Sequence, residues 1–177
     1  SYYARSRSRM LETLRRLGPV TILEVGCGLG YTTNSIVNDS DGYEVTGCDI
    51  SSVALKKASA LFPQLRFEQW DIGDQALSER VTDKFDVVIL NQLLWYILED
   101  LDAVFANVYE LLNQDGKLLI VNAFARNQRY GNAIVDGYSG AVKKFMSSGT
   151  FHLTESHYHE QDDEHADGQF LLYPRLA

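Results

Sequence analysis

Short apolar runs alternate with stretches of helical spacing along most of this chain. Met10, Leu11, Leu14 and Leu17 recur at helical intervals, which predicts a helix from Tyr2 to Leu17, stopped by Gly18-Pro19. Val20 to Val25 is rich in branched residues and reads as a short buried strand. Tyr31 to Val37 predicts a short helix, ended by the turn residues Asn38 to Gly42. A second strand is expected over Tyr43 to Cys48, a helix over Ser52 to Leu61, a third strand over Leu65 to Trp70 and a helix near Asp74 to Arg80. Phe85 to Leu90 is the nearly continuous apolar run of a central parallel strand. A short helix carrying Trp95 and Tyr96 follows. Then come an amphipathic helix, Leu101 to Leu112, a turn, Asn113 to Gly116, and a fifth strand, Lys117 to Val121.

Beyond Asn122 the alternation breaks. Ala123 to Gly140 is polar, aromatic and spaced by glycine, and contains Phe124, Tyr130 and Tyr138. Segments that follow strand ends commonly serve a substrate, although an irregular connection has the same composition. Ala141 to Ser147 predicts a short helix. Phe151 to His159 and Gln169 to Leu176 read as two strands of a hairpin, joined by an acidic turn from Glu160 to Gly168. Five strands alternating with helices make a parallel sheet with right-handed crossovers. The expected architecture is therefore α/β: a Rossmann-like, doubly wound, mostly parallel seven-stranded sheet with a C-terminal antiparallel hairpin. One domain spans 1–177, with an N-terminal helix (1–18), a core (20–122), a substrate-side segment (123–149) and a closing hairpin (150–177).

Composition narrows the function. At 177 residues, 45% hydrophobic and 23% charged, the chain has the make-up of one globular domain with a sizeable core. No apolar run approaches the roughly 20 residues of a membrane span. No signal-peptide pattern follows Ser1, so no membrane partner and a cytoplasmic location are expected. The formal net charge of −8 argues against a nucleic-acid partner, whose phosphates demand cations. Arg5, Arg7, Arg9, Arg15 and Arg16 are the exception, and a solvated helix face accounts for them. Cys27 and Cys48 fall at the ends of neighbouring strands and read as reduced core thiols.

Candidate chemistry centres on Glu24-Val25-Gly26-Cys27-Gly28-Leu29-Gly30. Glycine lets the backbone turn at positive φ and lets a ligand lie against the main chain. The helix that follows turns free N–H groups back toward the loop. In an α/β sheet this is the place for a polar cofactor. A dinucleotide fingerprint needs its third glycine at position 31, and that residue is Tyr31. Asp49, at the tip of the second strand with Ile50 beside it, is placed to accept ribose hydroxyls. Its alternative duty is to cap the next helix, for which Ser51 is better placed. Asp71, after the third strand, is suited to an adenine amino group, with the Ile72 N–H serving a ring nitrogen. The alternative is a loop acid, a role Asp74 already fills. Asn91 and Gln92 end the fourth strand opposite the glycine loop, where strand order reverses. Tyr3 or Arg7 either folds over the cofactor or belongs to a surface helix. Trp95 is either core or a wall of the reacting site. His157-x-His159 invites a metal, but no acid or cysteine elsewhere completes a site, and none is expected.

Glu-x-Gly-Cys-Gly-x-Gly resembles motif I of the class I S-adenosylmethionine (SAM)-dependent methyltransferases, and Asp71-Ile72-Gly73-Asp74 resembles their motif III. Leu111 to Ile120 resembles their helix-turn-strand-five signature, with Asn113-Gln114-Asp115 in place of a Lys-Pro-Gly type of turn. The similarity runs from Val20 to the end. Tyr2-Tyr3 and Leu93-Leu94-Trp95-Tyr96 are similar to small-molecule enzymes of the nodulation S-like and sugar-modifying kind. Asn91-Gln92-Leu93-Leu94 is not the Asn-Pro-Pro-Tyr of exocyclic-amine methylation. The resemblance implies SAM as cofactor, S-adenosylhomocysteine as product and an O or N atom of a small molecule as acceptor. It implies that Glu24, Gly26, Cys27, Gly28 and Gly30 hold the amino-acid end, with Tyr3, Arg7, Asn91 and Gln92 around it. Asp49, Ile50, Asp71 and Ile72 hold the nucleoside, and Trp95, Tyr96, Phe124, Tyr130 and Tyr138 face the acceptor. No general base stands out. Two alternatives remain: an NAD-dependent oxidoreductase, disfavoured by Tyr31, and a non-catalytic methyltransferase-like binding protein.

Overall fold

In the computed structural model, which describes residues 2–160, 162 and 164–176, the apolar runs become seven strands. These are β1 (Thr21–Val25), β2 (Glu44–Asp49), β3 (Arg66–Gln69), β4 (Phe85–Asn91), β5 (Leu112–Ala125), β6 (Phe151–Glu160) and β7 (His165–Pro174). Between and before them lie α1 (Tyr2–Leu17), α2 (Tyr31–Val37), α3 (Ser52–Leu61), α4 (Leu77–Arg80), α5 (Leu94–Ile97), α6 (Leu101–Leu111) and α7 (Gly137–Met146). The strands form one sheet in the order β3-β2-β1-β4-β5-β7-β6. The first five are parallel, and β7 runs antiparallel between β5 and β6. This is the doubly wound sheet with a closing hairpin that the periodicity predicts. Strand order reverses between β1 and β4, so a crevice opens at their carboxyl ends.

Alternate residues of the central strands serve opposite faces. Leu23, Val88, Leu90, Leu118 and Ile120 pack with Val104, Phe105 and Val108 of α6. Ile22, Val87, Ile89, Leu119 and Val121 pack with Met10 and Leu14 of α1 and Ile36 of α2. Both faces are covered, which is why β4 reads as apolar almost throughout. Among the described residues no helix is long and apolar enough to cross a membrane.

The structure moves several boundaries. The expected turn at Asn113 to Gly116 is an irregularity inside the long β5: the register jumps from Phe85↔Leu112 to Val87↔Lys117, and Asp115 adopts a φ of 64°. Asn113 Nδ2 fastens it to Asp86 Oδ1 at 2.9 Å. The helix expected from Asp74 shrinks to α4, with Asp74 Oδ1 accepting the Ala76 N–H in the turn before it. The segment after strand five is shorter than expected, because β5 continues through Phe124 and α7 already includes Tyr138. β7 starts at His165, so Asp167 and Gly168 belong to the sheet and not to the acidic turn. A Cβ on Gly168 would lie 2.4 Å from Phe124 Cε2, so only glycine admits that ring.

The glycine loop is sterically graded. Gly30 has a φ of 79°, and a Cβ there would sit 2.6 Å from the Phe67 ring. Gly28 also has a positive φ, 54°, but its Cβ direction is open. Gly30→Ala combines left-handed strain with overpacking, costing about 2–5 kcal/mol, or roughly 5–15 °C of melting temperature. Gly28→Ala carries only the strain, about 1–2 kcal/mol. Thermal unfolding of the two variants checks this, and equal losses would contradict it.

Candidate functional site

The ends of β1, β2 and β4, with the loops that follow β1, β2, β3 and β4, build one cleft of about 520 Å³. Its floor is Val25-Gly26 at the end of β1. Gly26, at a φ of 74°, turns the chain sharply, and both its N–H and that of Cys27 donate to Cys48 O at the end of β2. A Cβ on Gly26 would meet Leu93 Cδ1 at 2.9 Å, so the glycine lets the loop after β4 close against the loop after β1.

Asp49 stands at the tip of β2 and lines the cleft. It does not stand free. Oδ2 accepts the Gly28 N–H at 2.8 Å and Oδ1 the Ser51 N–H at 2.9 Å. Ser51 Oγ in turn accepts the Ala54 N–H and caps α3, as expected. The carboxylate therefore ties the glycine loop to the next loop and still presents lone pairs to the cleft. Asp71 lines the same wall, with Oδ1 accepting the Gly73 N–H at 2.9 Å. Ile50 and Ile72 flank the two acids. Asn107 Nδ2 of α6 anchors that loop by donating to Ile72 O and Asp74 O, each at 2.8 Å.

The opposite wall is Asn91, Gln92, Leu93 and Tyr96, with Asp100 at its far end. Gln92 holds a φ of 55°, rare for a residue with a Cβ. Its backbone N–H donates to Val121 O at 2.7 Å, and its Oε1 accepts the Ala123 N–H at 2.9 Å. Glu24 lies behind this wall, only 2% exposed. Its Oε2 accepts from Thr33 Oγ1 at 2.6 Å, and Asn91 donates to the same carboxylate. Burial dominates, raising its pKa to about 7 against the pull of Thr33, Asn91 and Arg7. The acid reaches the cleft through Asn91 and does not line it.

Other predicted residues are dispersed. Cys27 turns inward beside Gly47, and burial pushes its thiol up to about 12. Cys48 shifts the same way, and both thiols are free. Tyr3, 66% exposed, stands edge-on to Tyr2 on α1, and Arg7 is half-buried within electrostatic reach of Glu24. Tyr96 lines the cleft with most of its surface exposed. Tyr130 is exposed on a loop whose Gly131 packs against Leu98 and Trp95.

Three residues expected on the acceptor side pack against one another beside the cleft and do not line it. Phe124 is buried at 3% exposure among Trp95, Tyr138 and Phe170. Trp95 is half-buried against it, with its indole N–H satisfied by Ala123 O at 2.9 Å. Tyr138 stacks on Phe170 and touches Tyr158. These rings form an aromatic core beside the cleft, because a ring whose polar end finds a carbonyl packs better inside than out. Trp70 and Asp100 line the cleft without having been predicted. Asp100 ends a short 3₁₀ turn, Leu98–Asp100, whose position no local pattern announces. The His157 and His159 rings lie near-parallel at 6.4 Å on β6. Among the described residues no three His, Cys, Asp or Glu side chains converge as a metal set.

The residues present fit a cationic nucleoside. Among the described residues the cleft wall carries three carboxylates, Asp49, Asp71 and Asp100, and no Lys, Arg or His. Acids accept hydroxyl and amino protons and favour positive charge, whereas a pyrophosphate would meet repulsion with no compensating cation.

Comparison with known proteins agrees. A family model described as Methyltransferase domain matches residues 23–118. Trans-aconitate 2-methyltransferase of Deinococcus radiodurans is 29% identical over 155 residues, covering 83% of this chain and 57% of the relative. Malonyl-[acyl-carrier protein] O-methyltransferase of Bacillus anthracis is 33% identical over 116 residues, covering 62% of this chain and 41% of the relative. The chain spans about half the length of the curated relatives it matches. Among solved structures, the N-methyltransferase NodS from Bradyrhizobium japonicum WM9 shares the fold at a TM-score of 0.66 and 16% identity, covering 94% of this chain and 96% of that one. The matched span takes in the glycine loop, the acids Asp49 and Asp71 and the first part of β5, more than half of the chain, and it makes this protein a member of the methyltransferase domain family, within the class I SAM-dependent methyltransferases.

Proposed function

We propose that the cleft holds SAM and that the chain transfers its methyl group to an O or N atom of a small-molecule acceptor. One observation carries this. Asp49 and Asp71 face a single cleft at the reversal point of the sheet, and among the described residues no Lys, Arg or His lines it. The cofactor brings the reactive sulfonium methyl; the protein binds and orients. Asp49 is placed for the ribose hydroxyls and Asp71 for the adenine amino group, with Ile50 and Ile72 flanking the base. Gly26, Gly28 and Gly30 leave backbone open to the amino-acid end, with Asn91 and Gln92 opposite. Tyr96, beside the cleft and exposed, supplies an aromatic face to the positive centre, worth about 0.5–2 kcal/mol. Aligning two reactants is itself worth about 7–11 kcal/mol of barrier. Among the described residues no His lines the cleft, and its carboxylates Asp49 and Asp71 are engaged in loop hydrogen bonds, which favours alignment and exclusion of water as the main source of rate. All seven strands lie in one sheet, which supports a single domain as the working unit. The net charge of −8 and the acidic cleft favour a small acceptor over a nucleic acid.

Thermal unfolding with added ligand tests the cofactor. At 100 times its dissociation constant, S-adenosylhomocysteine should add about 2.7 kcal/mol, or roughly 5–10 °C. NAD should add nothing, and a shift with NAD alone would overturn the proposal. Methyl transfer to RNA in place of small acids and amines would overturn the acceptor class.

A further inference from the structure

Asp167 of β7 is fully buried, yet it lies outside the cleft and the reaction scheme does not use it. Three donors from α1 converge on its carboxylate. Tyr2 Oη and Ser6 Oγ donate to Oδ1 at 2.9 and 2.7 Å, and Arg9 Nη1 donates to Oδ2 at 3.2 Å. Tyr2, Ser6 and Arg9 are spaced by four and three residues, so they form one stripe of the helix. Thr13 and Arg16 continue the stripe, meeting Gln169 and Glu155. The adjoining stripe, Met10 and Leu14, is the apolar one that packs on the sheet.

An apolar contact would hold this helix on the sheet as well, since replacing a buried ionic cluster by hydrophobic residues is often neutral or stabilising. Apolar packing tolerates sliding and rotation. Three directional bonds to one carboxylate fix both. What they fix is the end of α1 nearest the cleft. Ser6 Oγ also meets Gln92 Nε2 at 3.5 Å, and Gln92 forms part of the cleft wall. A second route reaches the same side chain: Asp167 pairs across the sheet with Ala123, whose N–H donates to Gln92 Oε1. Arg7, one residue past Ser6, is thereby held near Glu24. The wall that Gln92 belongs to follows β4, whereas Asp49 and Asp71 lie beyond β1 on the β2 and β3 side.

We infer that Asp167 is a positioning residue for the amino-acid end of the methyl donor, acting through the register of α1 and the orientation of Gln92. This rests on the cleft holding SAM. Asp49 and Asp71 hold the nucleoside without it, so a loosened α1 would be felt at only one end of the ligand.

Two probes separate the ends: S-adenosylhomocysteine carries both, and adenosine only the nucleoside. Calorimetric titration of each is compared for the parent protein, Asp167→Leu and Asp167→Asn, with melting temperatures alongside. Asp167→Leu should stay folded, bind adenosine as the parent does and bind S-adenosylhomocysteine about tenfold more weakly. Asp167→Asn keeps the shape and one acceptor oxygen, and should recover part of that loss. If Asp167→Leu does not fold, Ser6→Ala decides: it should weaken S-adenosylhomocysteine about threefold to fivefold and leave adenosine unchanged. Unchanged S-adenosylhomocysteine affinity in the folded variants, or equal weakening of both probes, would overturn the inference. Failure of the parent to bind S-adenosylhomocysteine would instead refute the cofactor assignment.

Discussion

Asp49→Ala should weaken S-adenosylhomocysteine binding by at least about 100-fold. Two hydroxyls donating to one carboxylate make charge-assisted bonds of about 1.5–3 kcal/mol each, and alanine removes both. The same variant should also lose stability without ligand. Its carboxylate accepts the N–H groups of Gly28 and Ser51, which no other side chain replaces. Leaving two half-exposed donors unpaired costs about 1–2 kcal/mol, a fall of roughly 2–8 °C. Calorimetry on the folded variant reports the first effect and thermal unfolding of the apo protein the second. Affinity equal to the parent's would remove Asp49 from the nucleoside site. An unchanged apo melting temperature would mean that the loop holds its shape without it.

Glu24→Gln should change how stability depends on pH. The folded protein binds the Glu24 proton up to about pH 7, whereas the unfolded chain releases it near its ordinary value of 4.5. Between those values the folded state holds more protons, so the parent loses stability as pH rises, by about 3 kcal/mol over the window. The stability is fully present below 4.5 and lost by the time pH has passed 7. Glutamine cannot ionise, and its Oε1 still accepts from Thr33. Melting curves from pH 5 to 8.5 should therefore converge at the acid end and diverge toward neutrality, with the variant higher at pH 8. Parallel curves would show that Glu24 is ionised throughout. Because Asn91 donates to this acid and also lines the cleft, affinity for S-adenosylhomocysteine should respond to the same substitution.

Much of this protein is local and so was visible in the chain. Helix α1 and the closing strand β7 mark the two extremes. Met10, Leu14 and Leu17 announce α1 to the residue, because helical spacing and a Gly-Pro stop need no partner. The start of β7 is hidden, because His165-Ala166-Asp167-Gly168 has the composition of a turn. It becomes strand through pairing with β5, and through a gap at Gly168 that the Phe124 ring fills. Asp167 was invisible for the same reason: its three donors lie about 160 residues away in sequence.

The site divides along the same line. Glycine spacing and acids at strand tips are written in the sequence, because a tight turn and a carboxylate beside it are properties of neighbouring residues. Which aromatic side chains face a ligand is not. Trp95, Phe124 and Tyr138 carry the same apolar signal as Tyr96 and Tyr130, and only tertiary packing sorts them. Ala123 O takes the Trp95 N–H and Phe170 stacks on Tyr138, drawing these rings inside. Tyr96 and Tyr130 find no such cover. The sequence by itself determined the strand and helix periods, the glycine loop and the acids at the strand tips, since each depends on contacts within a few residues. The tertiary structure alone decided that Asp49 is bonded, that Glu24 stands behind Asn91, and that three donors of α1 meet Asp167. Burial and directional hydrogen bonds between distant segments exist only once the sheet has brought those segments together.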